Sequence, residues 1–170
     1  MINELLEIVP VDLQHAPQIQ LLASDKAIAD TTSLPHPYPA DGAVNFIKDA
    51  MGKRERKEEF VFAVMHKEEG LIGTSCLLKC NYENLSAVLG YWIGIPYWGK
   101  GYATTAARLT IQYAFDVLLL RRLTTSCIDN NSASLRVLEK IGFRITGESE
   151  LSLPKWDKPK RMIDLELLST

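Results

Sequence analysis

The segment with most chemistry in it is Tyr91-Trp92-Ile93-Gly94-Ile95-Pro96-Tyr97-Trp98-Gly99-Lys100-Gly101-Tyr102-Ala103-Thr104. A strand-like run ends there, two glycines bracket a lysine, and a long helical pattern begins. Unpaired backbone N–H groups and the positive end of a helix dipole then converge on one spot, which suits an anion. Glycine lets a phosphate approach backbone that a side chain would hold off, and Lys100 adds a mobile positive charge. Taken alone, the same residues also fit a plain helix start behind a tight turn. A nucleotide-triphosphate loop is one residue away, because Gly94, Gly99 and Lys100 have its spacing. Gly101, however, stands where that loop needs a magnesium-binding hydroxyl, and Pro96, Tyr97 and Trp98 crowd it. Antiparallel-looking strands also precede it, whereas such a loop opens a parallel sheet.

A second segment runs Asn130-Asn131-Ser132-Ala133-Ser134-Leu135-Arg136-Val137-Leu138-Glu139-Lys140-Ile141-Gly142-Phe143. By itself it offers Asn131 as a helix cap and Ser134 as a first-turn hydroxyl. The two segments in this order resemble the GNAT N-acetyltransferase superfamily, and the resemblance extends over nearly the full chain. Trp98-Gly99-Lys100-Gly101-Tyr102-Ala103 aligns with the family pattern Q/R-x-x-G-x-G/A, with Trp98 departing from its first position. The string GYWIGIPYWGKGYATTA and the later N-x-x-S-x-x-x-L-E-K-x-G-F are similar to the subgroup that acetylates ribosomal-protein N-termini.

The resemblance implies acetyl-CoA as co-substrate, with backbone from Gly99, Lys100, Gly101, Tyr102, Ala103 and Thr104 around the pyrophosphate and the 3′-phosphate end near Lys100 or Arg108. It implies that Asn131 reaches the pantetheine arm and that Ser134 lies near the thioester sulfur, as proton donor to the leaving thiolate. It implies exposed strand backbone over Trp92, Ile93, Gly94 and Ile95 for the acyl arm, with one N–H polarising the carbonyl and Gly94 permitting close approach. Relatives often carry a Glu two residues before the Gly-Tyr of this strand; here Val88 stands there. The proton acceptor is then sought in Glu83, in the turn before the strand, or in His36, whose unperturbed pKa of about 6.5 suits the task. His36 and Tyr38 alternate with Pro35, Pro37 and Pro39 and are expected to face the acceptor together. A covalent route through Cys127 lacks a neighbouring base to make a thiolate. The histidines and cysteines never cluster at metal-ligand spacing. The acceptor is a primary amine, favoured as a ribosomal or other protein N-terminus, with a polyamine, aminoglycoside or amino acid as the alternative. Val88 also leaves room for a non-catalytic acyl-CoA-binding module.

The elements that must hold these residues follow from periodicity. A helix is expected from about residue 15 to Ala23, with Pro17 in its first turn. Ala43, Phe46, Ile47, Ala50 and Met51 mark one face of a second helix that fades into the charged run 53–59, read as a solvated face and turn. Strands are expected at 60–65, 71–79 and 87–95. A long helix follows over 103–119, with Ala103, Ala107, Ile111, Ala114 and Leu118 as its apolar stripe. A strand at 123–128, a helix at 132–140 and strands at 143–149 and 162–168 complete the order. The fold class is therefore α+β: a mostly antiparallel sheet with one parallel crossover, flanked by helices. The 170 residues are expected to form one acetyltransferase domain.

The 19 basic residues against 21 acidic ones leave a charge of −2, so no global field gathers nucleic acid or an anionic membrane. No apolar run reaches the roughly 20 residues of a membrane span. The acidic start over residues 1–7 is unlike a signal peptide, and a cytoplasmic location is expected. The odd count of Cys76, Cys80 and Cys127 reads as three buried reduced thiols.

Overall fold

The computed structural model of the chain describes residues 4–170. Seven strands, β1 (Leu6–Pro10), β2 (Phe60–His66), β3 (Gly70–Asn81), β4 (Ser86–Ile93), β5 (Arg122–Ile128), β6 (Arg144–Leu151) and β7 (Lys160–Leu168), form one sheet. Its order is β1-β2-β3-β4-β5-β7-β6, and every neighbouring pair is antiparallel except β4 with β5. Helices α1 (Ala16–Ala23), α2 (Lys26–Thr31) and α3 (Gly42–Glu55) precede β2, α4 (Tyr102–Gln112) joins β4 to β5, and α5 (Ser132–Lys140) follows β5. This is the α+β arrangement with one parallel crossover that the periodicity predicts.

Strand alternation divides the core into two layers. Val61 and Ala63 of β2 pack with Ile19, Ile47 and Ala50 of α1 and α3. Their neighbours Phe60 and Phe62 face the other way, joining Leu89, Ala107 and Ala114 beneath α4. Two elements carry no signal in the local sequence. β1 has only five residues and shows itself through pairing, Leu6 opposite His66 and Pro10 opposite Phe62. α2 is too short to display a period and starts at a cap, Asp25 accepting from the Ala27 N–H at 3.0 Å. Residues 1–3 of the acidic start lie outside the described residues.

The long helix expected over 103–119 is α4 followed by a π-turn, Tyr113–Val117. Its buried face also differs: Thr104, Thr105, Ala106, Ala107, Thr110 and Ala114 point inward, while Ala103 and Ile111 are half-buried. Threonine can line a core because its hydroxyl finds a local acceptor. Thr110 donates to the Ala106 carbonyl at 2.9 Å and also meets Ser75 of β3 at 2.7 Å. α3 likewise runs past its expected end to Glu55, since Lys53 and Arg54 in the last turn suit the negative end of the helix dipole. Cys127 is buried as expected, whereas Cys76 and Cys80 are half-buried, and all three are free thiols. Among the described residues no helix is long and apolar enough to cross a membrane.

Candidate active site

The parallel pair β4–β5 holds together only from Ser86 to Val88, opposite Arg122 to Thr124. One last tie, Thr125 Oγ1 to the Leu89 carbonyl at 2.8 Å, bridges the fork. Beyond it the strands diverge, and a cavity of ≈ 400 Å³ occupies the gap, lined by Gly90, Tyr91 and Trp92 on one strand and Ser126, Cys127 and Ile128 on the other. The register of β4 decides which backbone groups face the gap. Gly94 N–H donates to the Ile72 carbonyl at 2.8 Å, so Gly94 and its alternate Trp92 turn toward β3. Tyr91 and Ile93 consequently direct N–H and C=O away from β3, toward the fork. Of the four residues expected to offer backbone, Ile93 does so, Trp92 and Gly94 do not, and Tyr91 must be added. Gly94 serves packing instead: a Cβ there would lie 2.8 Å from Leu22 of α1. Ile95 lies in a 3-10 turn, Ile95–Tyr97, beyond the strand.

Trp98 shows how an indole can stand where the family pattern has Gln or Arg. Its Nε1 donates to the outward Ile93 carbonyl at 2.6 Å, folding the ring back over the end of β4. Gly99 (φ 76°) and Gly101 (φ 78°) are both left-handed, and a Cβ at either meets no atom within 4 Å. That open space adjoins the first turn of α4, which has no capping side chain, so its leading N–H groups point outward. Lys100 is exposed beside it and Arg108 is half-exposed two turns on. His66 fixes the turn from behind. Its Nδ1 accepts from the Glu68 and Glu69 N–H groups, leaving Nε2 to donate to the Tyr102 hydroxyl at 3.2 Å.

Across the fork, Asn131 caps α5 as expected, its side chain accepting from the Ser134 N–H at 3.2 Å. Ser134 Oγ lies 3.3 Å from the Tyr91 hydroxyl, and all three side chains line the cavity. Burial holds the Tyr91 phenol above its usual range, so it stays protonated near neutrality. No local pattern announces the tyrosine partner, because β4 and α5 meet only in the tertiary structure. Cys127 also lines the cavity, and burial raises its thiol too.

On the opposite sheet face the cavity is walled by Tyr38, Phe46, Val88 and Trp92. Both residues expected to accept the amine's proton lie elsewhere. Tyr38 lines the cavity but His36 is exposed outside it, and Glu83 lies on an exposed turn closed by Asn81. The loop bends at residues 32–33 and again at 36–37 and so does not keep strand alternation, and the His36 and Tyr38 side chains part. The carboxylates that do line the cavity are Asp49 and Glu59. Glu59 ends the charged run 53–59 that reads as solvated, and Asp49 lies off the apolar stripe of α3, so neither stands out in the sequence. The 32–34 end of the loop is tied down by Lys155, whose ammonium donates to the Ala29, Thr32 and Leu34 carbonyls. Burial pulls that ammonium below the usual lysine range. No group of three or more potential metal ligands occurs among the described residues.

The chain matches the acetyltransferase (GNAT) domain family over residues 6–144. It is similar to a probable N-acetyltransferase of Bacillus subtilis (strain 168), YjcK, 35% identical over 112 residues, which cover 65% of this chain and 62% of that protein. It is 30% identical to the spermidine N(1)-acetyltransferase of Escherichia coli (strain K12) over 66% of this chain and 59% of that one. The aligned part thus spans about 60% of these curated relatives. Among solved structures, the spermidine N-acetyltransferase of Vibrio cholerae with CoA and spermine superposes with a TM-score of 0.86 at 20% identity, covering 98% and 96% of the two chains. The ribosomal L7/L12 alpha-N-protein acetyltransferase RimL, with coenzyme A, superposes with a TM-score of 0.90 at 15% identity, covering 99% and 96%. With a matched domain over most of its length and a sheet that forks beside a glycine-flanked helix start, this chain belongs to the GNAT acetyltransferase family.

Proposed function

We propose that the protein is an acetyl-CoA-dependent N-acetyltransferase that moves an acetyl group directly onto a primary amine. The observation that carries this reading is the single cavity at the β4–β5 fork. It reaches Tyr91, Asn131 and Ser134 on one sheet face and Tyr38, Asp49, Glu59 and Trp92 on the other, so donor and acceptor can enter from opposite sides. The turn 99–104 fits a pyrophosphate, since its glycines leave open space and its N–H groups point outward. An acyl arm in the fork would meet the backbone of Tyr91 and Ile93, with an N–H there holding negative charge on the carbonyl oxygen.

The neutral amine nitrogen attacks the acetyl carbon, the carbon–sulfur bond breaks, the leaving thiolate takes the Ser134 hydroxyl proton, and the nitrogen gives up its remaining extra proton to water. Ser134 recovers a proton from Tyr91, which its burial keeps protonated, or from water. Neither His36 nor Glu83 lines the cavity, which favours water over either residue as the acceptor of the amine's proton. The amine therefore releases its proton to water before attack. Cys127 keeps a raised thiol pKa and, among the described residues, has no hydrogen-bonded base, which supports direct transfer over a covalent relay.

The acceptor is a protein N-terminus or a polyamine: the motif resemblance favours the first, and a relative named for spermidine supports the second. Free cysteines and the absence of a membrane-spanning helix among the described residues fit action in the cytosol. Thiol release from acetyl-CoA, followed over diamines, aminoglycosides, amino acids and short peptides, tests the reading. Coenzyme binding with no acetylated product by mass spectrometry would leave a non-catalytic acyl-CoA-binding module in its place.

A further inference from the structure

The acids that line the cavity are poorly placed to take a proton from the fork. Asp49 and Glu59 share Lys53 as counter-ion, at 3.0 and 3.5 Å. Glu59 also stands one residue before β2, and two strand spacings, about 10 Å, separate β2 from β4. Direct proton transfer needs about 3 Å. Val88 brings no proton acceptor to this face of β4. The other wall of the fork, β5, is better supplied.

Val88 pairs with Thr124 in the last parallel rung between β4 and β5. Two residues farther along each strand, Gly90 and Ser126 stand at one level and point to one face, the face on which α1 and α3 pack. They are the first such pair beyond the parting of the strands, and both line the cavity. Ser126 is exposed there. Its hydroxyl donates to Oδ1 of Asp164 at 2.6 Å, from directly opposite in the β5–β7 register. Ser149 of β6 donates to the same oxygen at 2.9 Å, so Oδ2 is left without a partner among the described residues. None of the ion pairs among the described residues includes Asp164. Glu166, on the same face of β7, is by contrast bonded to Arg122 at 2.9 Å. Asp164 is thus a half-exposed carboxylate with no counter-ion, one hydroxyl away from the cavity.

We infer that Ser126 and Asp164 carry off the proton that the acceptor nitrogen gives up after attack. The inference rests on the transferase reading and adds a destination for that proton within the protein. An acyl arm in the fork takes the place of a strand, about 5 Å from each backbone. An amine over it on the α3 face then stands within one bridging water of the Ser126 hydroxyl. The N–H bond breaks toward that water, the water passes a proton to Ser126 Oγ, and Ser126 passes its own to Asp164 Oδ1. The transfers leave an amide nitrogen, an unchanged water and serine, and a protonated Asp164, which returns the proton to solvent. Proton supply and proton removal are thereby divided between the sheet faces: Tyr91 and Ser134 serve the sulfur on the α5 side, Ser126 and Asp164 the nitrogen on the α3 side. Ser149 supplies an internal comparison, because it bonds the same carboxylate oxygen without lining the cavity.

The test uses the full chain with saturating acetyl-CoA and two acceptors, butane-1,4-diamine and the tripeptide Ser-Ala-Ala. Ser126→Ala and Asp164→Asn should each lower kcat by about tenfold to a hundredfold, with the KM for acetyl-CoA unchanged. The double variant should be no slower than the slower single one, because both residues act in one path. Ser149→Ala should keep kcat within about twofold of the parent, since it removes a bond to Asp164 but no link to the cavity. Added formate should raise kcat of Asp164→Ala in proportion to its concentration and leave the parent unchanged. A parental kcat in Ser126→Ala or Asp164→Asn, a Ser149→Ala as slow as Ser126→Ala, losses that multiply in the double variant, or no response to formate would each overturn the proton path. A parent that releases no thiol with any amine fails the transferase reading and the path with it, whereas parental turnover with unaffected variants removes the path alone. If the Asp164 variants fail to fold, Ser126→Ala compared with Ser149→Ala decides.

Discussion

Replacing Gly101 by Asn and, separately, by Asp isolates the anion site from the fold around it. Gly101 has φ 78° and ψ 9°, a left-handed conformation that Asn and Asp tolerate better than other side chains, and an added Cβ meets nothing within 4 Å. Each variant should therefore lose about 1 kcal/mol of stability, a fall of roughly 2–4 °C in Tm for a chain of this size. Coenzyme binding should respond differently. A side chain at this position would hold a pyrophosphate off the backbone, and each lost charge-assisted N–H···O bond is worth about 1.5–3 kcal/mol. Losing two weakens coenzyme A by roughly a hundredfold or more in the Asn variant. Asp is nearly isosteric with Asn but adds a negative charge about 5 Å from another. That repulsion is about 3 kcal/mol at an effective dielectric of 20, reduced to about 1 kcal/mol by solvent at this exposed turn. The Asp variant should thus bind another five- to tenfold more weakly, and added salt should shrink the Asp–Asn gap without restoring Asn to the level of glycine. Isothermal calorimetry with coenzyme A at two salt concentrations, beside thermal melts, gives all of these quantities. An Asn variant that binds coenzyme A within threefold of the parent would refute a pyrophosphate on this turn.

Three further outcomes follow from the same structure. Ser134→Ala should lower kcat by about tenfold to a thousandfold with coenzyme affinity nearly unchanged, because the hydroxyl acts when the thiolate leaves; full activity in steady-state assays would leave Ser134 only its place in the first turn of α5. Thr110→Val should strand the buried Ser75 hydroxyl that Thr110 meets at 2.7 Å, costing about 1–3 kcal/mol and lowering Tm by roughly 3–10 °C, and an unchanged melting curve would show that water completes Ser75 instead. The Cys76 thiol is pushed up to about 12 by burial, with the Glu59 charge adding to it, from an ordinary value of 9.0, so the folded state holds its proton more tightly than the unfolded chain. Its contribution to stability is complete below pH 9 and declines between pH 9 and 12, by up to about 1.4 kcal/mol per pH unit; denaturant melts that show the same alkaline decline in Cys76→Ser would assign that decline to another group.

Much of the site is legible one-dimensionally because it is made of backbone. A tight turn into a helix start needs glycines at left-handed positions, so the spacing of Gly99, Lys100, Gly101 and Tyr102 carries its own geometry. The cap at Asn131 is equally local, since its side chain reaches only three residues ahead. Strands β2 to β4 announce themselves because runs of branched and aromatic residues bury both sheet faces. Where burial depends on partners, local pattern misleads: α4 buries threonines on account of Ser75 and the Ala106 carbonyl, and β1 is a strand because β2 offers it an edge.

The acceptor side required the tertiary structure altogether. Asp49 and Glu59 lie ten residues apart in a polar stretch, and only the packing of α3 on the sheet, with β2 in register beside β3, turns both toward one cavity. Tyr91 meets Ser134 across 43 positions for the same reason, and His36 leaves the site because its loop does not run as a strand. The sequence by itself determined the glycine turn before α4, the cap of α5, most of the helices and strands, and the α+β class, all of which arise from interactions within a few residues. Which backbone groups face the fork, which acids enter the cavity and which tyrosine meets Ser134 were decided by strand register and by where β4 parts from β5, and those depend on contacts between segments distant in the chain.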